Sequence, residues 1–146
     1  MVGLGRPIFH PGVTLGGPRC AKVVCMSNLR EEGLRVFREM LPGTLPDGDV
    51  EFGGFAPELM DIGVESVFGK LWTREGLSRR DRSLVTLGIL IALRAGDEMK
   101  AHFRIAKQNG LTEDEIAEVI YHSSGYAGFP AAATARNIAA EELGKA

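Results

Sequence analysis

The 146-residue chain is 45% hydrophobic and 25% charged, with a formal net charge of −2, the make-up of one globular domain with a single sizeable core. That charge excludes the basic footprint of a nucleic-acid-binding protein. The longest apolar run, Leu84–Leu93, is well short of the roughly 18 residues of a membrane span. Cys20 and Cys25 stand in a C-x4-C spacing with no second half, which argues against zinc and for a reduced thiol pair in a cytoplasmic protein.

Residues 1–26 hold Gly3, Gly5, Gly12, Gly16 and Gly17 together with Pro7, Pro11 and Pro18, a composition that supports neither a helix interior nor a central strand. They read as a Gly/Pro-rich flexible arm, and Arg6 as the sole early positive charge makes a poor signal peptide. Met26 precedes the capping pair Ser27-Asn28, so the arm is either an upstream start or a segment that lies on a neighbouring subunit. The folded domain is expected over residues 27–146.

From there the apolar spacing is helical. Leu29, Val36, Phe37 and Met40 place a helix over Asn28–Leu41, stopped by Pro42-Gly43. Leu45–Phe55 is a loop rich in Pro, Asp and Gly. Pro57 suits the first turn of a helix reaching Phe68, with Leu59, Ile62, Val67 and Phe68 as its expected apolar side. Ser78 is placed to cap a central helix whose run Leu84–Leu93 is apolar on every side, a pattern that demands protein all round it. In so small a domain, that points to burial between subunits as well as within one. Ala95-Gly96-Asp97 breaks the chain, Glu98–Asn109 forms the next helix, and Gly110 takes the left-handed closing position. Thr112-Glu113-Asp114-Glu115 is a capping box that launches Glu115–Ser124, and Pro130 opens a last Ala-rich helix ending near Leu143. The fold class is all-α, with about six helices.

Glu98 and His102 carry the strongest chemical pattern. At i and i+4 on a helix they share one face, about 40° apart, and a carboxylate beside an imidazole can move protons near neutral pH. Met99, Phe103 and Ala106 define the apolar side of that helix; Glu98, His102 and Ile105 lie about 100° away, at the edge of the core. An ordinary exposed ion pair is the plainer reading of the same spacing. Arg82, one turn into the central helix among Val85, Thr86 and Ile89, wants an anion, either a ligand or an acid such as Asp81 or Glu98. His122 and Tyr126, near a helix end beside Gly125 and Gly128, fit a pocket lining or plain close packing. A phosphate-binding Gly loop, a G-x-S-x-G elbow and an H-E-x-x-H motif are all missing. Glu98, His102 and His122 follow no metal-binding motif, and no metal is expected.

The runs Gly69–Leu87, Glu98–His102, Asn109–Ile116 and Tyr126–Ala132 resemble, in order, the carboxymuconolactone decarboxylase family, over about residues 54–143. The resemblance implies an AhpD-like helical domain, homotrimers or homohexamers, and no cofactor. Thiol peroxidase partners in the same superfamily use a C-x-x-C-x-x-x-H site. Aligned on His102, its cysteines fall at Ala95 and Glu98, so this chain lacks the thiolate nucleophile there.

The expected activity is a cofactor-free decarboxylation of a small lactone or oxo acid from aromatic-compound breakdown. His102 is the expected proton donor, Glu98 its partner and Arg82 the anion binder. Trp72, Phe103 and Phe129, with His122 and Tyr126, are the expected substrate-binding residues. An isomerase or lyase of another small oxo acid, and a non-catalytic oligomeric binding protein, stay open as alternatives. The partners expected are a small carboxylate or lactone and further copies of the chain, with neither nucleic acid nor membrane.

Overall fold

A computed structural model describes residues 26–144 of the chain. The Gly/Pro-rich arm, with Cys20 and Cys25, lies outside them but for Met26, which opens the first helix. Six helices follow in order: α1 Met26–Met40, α2 Glu58–Gly63, α3 Arg79–Leu93, α4 Gly96–Gln108, α5 Glu113–Tyr126 and α6 Phe129–Leu143; α2 runs on into a π-helical segment, Val64–Leu71. There is no strand among the described residues, so the domain is all-α.

The local stop and start signals act as the residue types dictate. Ser78 has extended backbone and its Oγ accepts the Asp81 N–H at 3.0 Å, the first such bond of α3. At α5, Thr112 Oγ1 accepts the Glu115 N–H at 3.2 Å while Glu115 Oε2 accepts the Thr112 N–H at 3.0 Å. Gly110 closes α4 with φ +93°, in the left-handed region that a side chain would resist.

Helices α3 to α6 enclose the main core, built on Leu87, Ile91, Met99, Phe103, Ile116, Ile120 and the alanines of α6. A second core of Val36, Met40, Leu41, Trp72 and Ile105 joins α1 and the turn after the π-helical segment to α4. Helix α4 is therefore buried on two faces. Met99, Phe103 and Ala106 enter the first core and Ile105 the second. Ile105, expected at the core's edge, is 1% exposed.

The side expected to be buried after Pro57 is corrected. Leu59, Ile62 and Val67 are exposed, and Val64 and Gly69 are buried instead. Within the π-helical segment the wider turn brings residues five apart, Val64 and Gly69, onto the buried face and leaves Val67 outside. The segment's register is fixed by contact with α1. Gly33 lies against the Val64 carbonyl and Gly69 against the Leu29 carbonyl, each too close to admit a methyl group. The all-round apolar run of α3 divides likewise: Leu87 and Ile91 are buried, whereas Val85, Ile89 and Leu93 face outward from the single chain.

Gly33→Ala should therefore lower stability by about 1–3 kcal/mol or more, because backbone on both sides has to move apart. Gly63→Ala, where a methyl meets open space inside a helix, should raise it by up to about 1 kcal/mol. Denaturant melts of the two variants check the contrast.

Candidate active site

The residues singled out by chemistry fall into two groups. His102 belongs to the first. It stands on the α4 stripe that runs from Glu98 to Ile105, and depth increases along it: Glu98 is exposed, His102 half-buried and Ile105 buried. The imidazole stacks on the Trp72 indole with ring centroids 6.4 Å apart and planes inclined by 20°. Its Nδ1 is buried with no hydrogen-bond partner among the described residues. Burial pushes the imidazole below its ordinary value, with no charged neighbour contributing. Full protonation would leave an Nδ1–H inside the protein without an acceptor, so the resting ring is neutral.

Glu98 makes no hydrogen bond or ion pair among the described residues, and no bond joins it to His102. Sharing a helix face is necessary for such a bond and not sufficient: Glu98 is exposed, whereas Nδ1 is buried.

Arg82 is tied to the turn that follows Trp72. Its Nη2 donates to the Arg74 carbonyl at 2.6 Å, two residues after Trp72. Its Nε is buried without a partner, and no carboxylate pairs with it among the described residues. Asp81 is turned instead to the Ser78 hydroxyl and to Arg80. The neighbouring arginines are paired, Arg79 with Glu39 at 2.7 Å and Arg80 with Glu115. Arg82 is thus a half-buried cation with an open valence for an anion.

His122 and Tyr126 form the second group, elsewhere on the molecule. Their rings are 4.9 Å apart at one end of a groove between α3 and α5, floored by Gly88 and Ser123. The groove has a volume of about 690 Å³ over its longer part, lined by Leu84, Val85 and Val119 with Asp114 and Glu118 at the rim. Neither His102 nor Arg82 nor Trp72 lines it. Phe103, expected as a wall, is fully buried in the main core and presents no surface to a ligand. Phe129 is at the opposite extreme, 77% exposed at the start of α6. Among the described residues no cluster of three or more His, Cys, Asp or Glu side chains is placed to hold a metal ion, and no helix is long and apolar enough to cross a membrane.

The sequence profile of the carboxymuconolactone decarboxylase family matches residues 57–141. The chain belongs to that family. It is 38% identical over 112 residues to 4-carboxymuconolactone decarboxylase of Acinetobacter baylyi, covering 76% of this chain and 84% of that protein. It is 35% identical over 103 residues to the nitrosuccinic acid decarboxylase of Metarhizium robertsii, covering 70% of this chain and 72% of that one. Both relatives are decarboxylases by name, which supports a carboxy-lyase. The matched span takes in Trp72, Arg82, Glu98 and His102, and leaves out α1, whose residues complete the core behind Trp72.

The lowered His102 value carries a sign for stability. The unfolded chain takes up the proton first as pH falls, so the contribution of the neutral buried ring is fully present above the ordinary imidazole value. It is lost as pH drops from there through the folded value. The midpoint of thermal unfolding should fall over that window, and His102→Gln should flatten the fall.

Proposed function

We propose that this chain is a cofactor-free decarboxylase of a small organic acid whose departing carboxylate is attached next to, or in conjugation with, an electron-withdrawing group. The names of the two relatives support that class. One substrate is a carboxylated lactone and the other a nitro dicarboxylic acid. In each, losing CO2 leaves an electron pair that a lactone carbonyl or a nitro group can take up. A lactone or oxo acid from aromatic-compound breakdown is the first substrate to try, given the greater identity to the Acinetobacter enzyme.

The observation that carries the reading is Arg82, a cation without a carboxylate partner and with a buried, unbonded Nε. The guanidinium is half-buried and its Nη1 makes no bond among the described residues, so that edge can receive the substrate's carboxylate or the oxyanion that develops on the electron sink. Cleavage of the C–C bond sends its electron pair into the sink and releases CO2. The pair then returns to carbon, where it takes a proton. His102 is the donor, after gaining a proton as the anionic substrate binds and offsets the burial of its charge. Glu98, exposed one turn before it, is the carboxylate that passes protons from solvent. One proton is consumed per CO2 released.

A second copy of the chain covers the outward face of α3. Val85, Ile89 and Leu93 are all more than half exposed in the single chain, and water is a poor neighbour for a contiguous apolar stripe. The AhpD-like trimer or hexamer is the assembly that fits this need, with Tyr126 and Phe129 exposed nearby in sequence on α5 and α6. Sedimentation at micromolar concentration should show a stable oligomer. Ile89→Glu should break it, and a soluble, folded parent monomer would refute the assignment.

The chemical test is CO2 release by the purified protein from 4-carboxymuconolactone and from nitrosuccinic acid. His102→Ala should lower kcat by about 10²- to 10⁴-fold, the usual contribution of general acid catalysis, with the oligomer intact. Turnover at near the parent rate would remove His102 from the chemistry. A lack of turnover of either acid by the parent protein would favour a binding role.

A further inference from the structure

Trp72 was expected to form a wall for the substrate, but its surroundings suit a different task. The indole is only 6% exposed and packs in the second core with Val36, Met40, Leu41 and Ile105. Its ring lies nearly parallel to that of His102, with planes inclined by 20° and centroids 6.4 Å apart.

The chain spends several unusual features on placing it. The segment before it is π-helical, and the Trp72 N–H donates to the Val67 carbonyl five residues back at 3.0 Å. π-Helical turns are rare and concentrate at functional sites. Gly33 and Gly69 permit the backbone contact that holds this segment on α1. After Trp72, Thr73 Oγ1 donates to the Gly69 carbonyl at 2.8 Å, and Arg82 reaches from α3 to the Arg74 carbonyl. The residue is pinned on both sides along the chain. His102, by contrast, is not held by any hydrogen bond through its Nδ1.

We propose that Trp72 is a positioning residue for His102: seated by the π-helical segment and the turn that Arg82 holds, its indole face fixes the plane of the imidazole and shuts Nδ1 from water. The inference rests on His102 being the proton donor. A ring whose buried nitrogen makes no hydrogen bond loses the usual means of keeping one orientation, and a flat aromatic neighbour supplies another through contact area. The same cover leaves the other nitrogen as the one for proton transfer. Arg82 then serves twice, since the guanidinium that receives the anion also holds the turn carrying Trp72.

The charged groups on the surrounding elements do not compete with this cover. On α1, Glu39 is paired with Arg35 and Arg79. On α6, Glu142 is paired with Arg104 of α4. Arg82 of α3 is bonded to a carbonyl, and Glu98 of α4 faces water. Burial alone accounts for the lowered His102 value.

Trp72 is the chain's one tryptophan, so its fluorescence reports on this contact without labelling. A protonated imidazole in contact with an indole quenches its emission, and a neutral one does so far less. Fluorescence of the full-length protein, followed without substrate, should drop on acidification with a midpoint below the ordinary imidazole value of 6.5. The step should vanish in His102→Gln. In Trp72→Leu, which fills space but has no flat face, proton magnetic resonance should show the His102 midpoint moving up toward the ordinary value. Trp72→Phe, which keeps an aromatic face, should hold it low. A purely structural tryptophan would lower the melting temperature in both variants and leave that midpoint in place, which would overturn the proposal. So would a fluorescence step that persists in His102→Gln. If Trp72→Leu does not fold, Trp72→Met, which also fills space without a flat face, takes its place in the same titration. Because no substrate is present, a result for the stack is separable from one for decarboxylation.

Discussion

The burial of α4 on two faces is the constraint on which the candidate site depends. A helix packed on one side would leave the Glu98–His102–Ile105 stripe in water, and His102 would be an ordinary surface imidazole. With α1 and the turn after the π-helical segment packed on that stripe, Ile105 is sealed, His102 is half-buried and Glu98 stays wet. One stripe thus passes from solvent to core within two turns, with an ionisable ring at the transition. That placement lowers the affinity of His102 for a proton in the free protein and lets an incoming anion raise it again. A proton donor that charges only when substrate is present spares the free protein an unpaired buried charge.

In the proposed reaction Arg82 ties this arrangement to the substrate. The arginines around it are paired with acids on other helices and hold the fold together: Arg79 with Glu39 links α3 to α1, and Arg80 with Glu115 links α3 to α5. Arg82 makes one bond to a carbonyl and leaves a buried nitrogen unbonded. Such a group costs stability, and a bound carboxylate or oxyanion would repair it. Binding energy placed on a group that is unsatisfied in the free protein acts where negative charge develops, which is where decarboxylation needs it.

Much of this was legible in the sequence where the deciding contacts are local. Ser78, Gly110 and the Thr112–Glu115 box act within three or four residues, and each behaves as its type predicts. His102 and Arg82 were legible as candidates because an ionisable residue beside an apolar run is conspicuous. What was not legible depends on partners far along the chain. The π-helical register is set by Gly33 and Gly69 meeting backbone across two helices, so the ordinary helical period misassigned Val67 to the inside. The bond expected between Glu98 and His102 followed from spacing alone, and spacing does not say which way a ring turns. Phe103 was expected to face the substrate, yet its i, i+4 neighbour Met99 and i+3 neighbour Ala106 draw it into the main core. Trp72 was visible as an aromatic residue near the site, but its role depends on an imidazole thirty residues onward.

The account's central claim is that His102 gives its proton to carbon as CO2 leaves. The most direct measurement is the pH profile of kcat/KM for CO2 release from 4-carboxymuconolactone. Because the reacting complex holds one proton more than the resting enzyme, kcat/KM should rise as pH is lowered and level off below the folded His102 value, itself under 6.5. That limb should be gone from the residual activity of His102→Gln. A profile flat from above the ordinary imidazole value down through the folded one, or a limb that survives in His102→Gln, would contradict it.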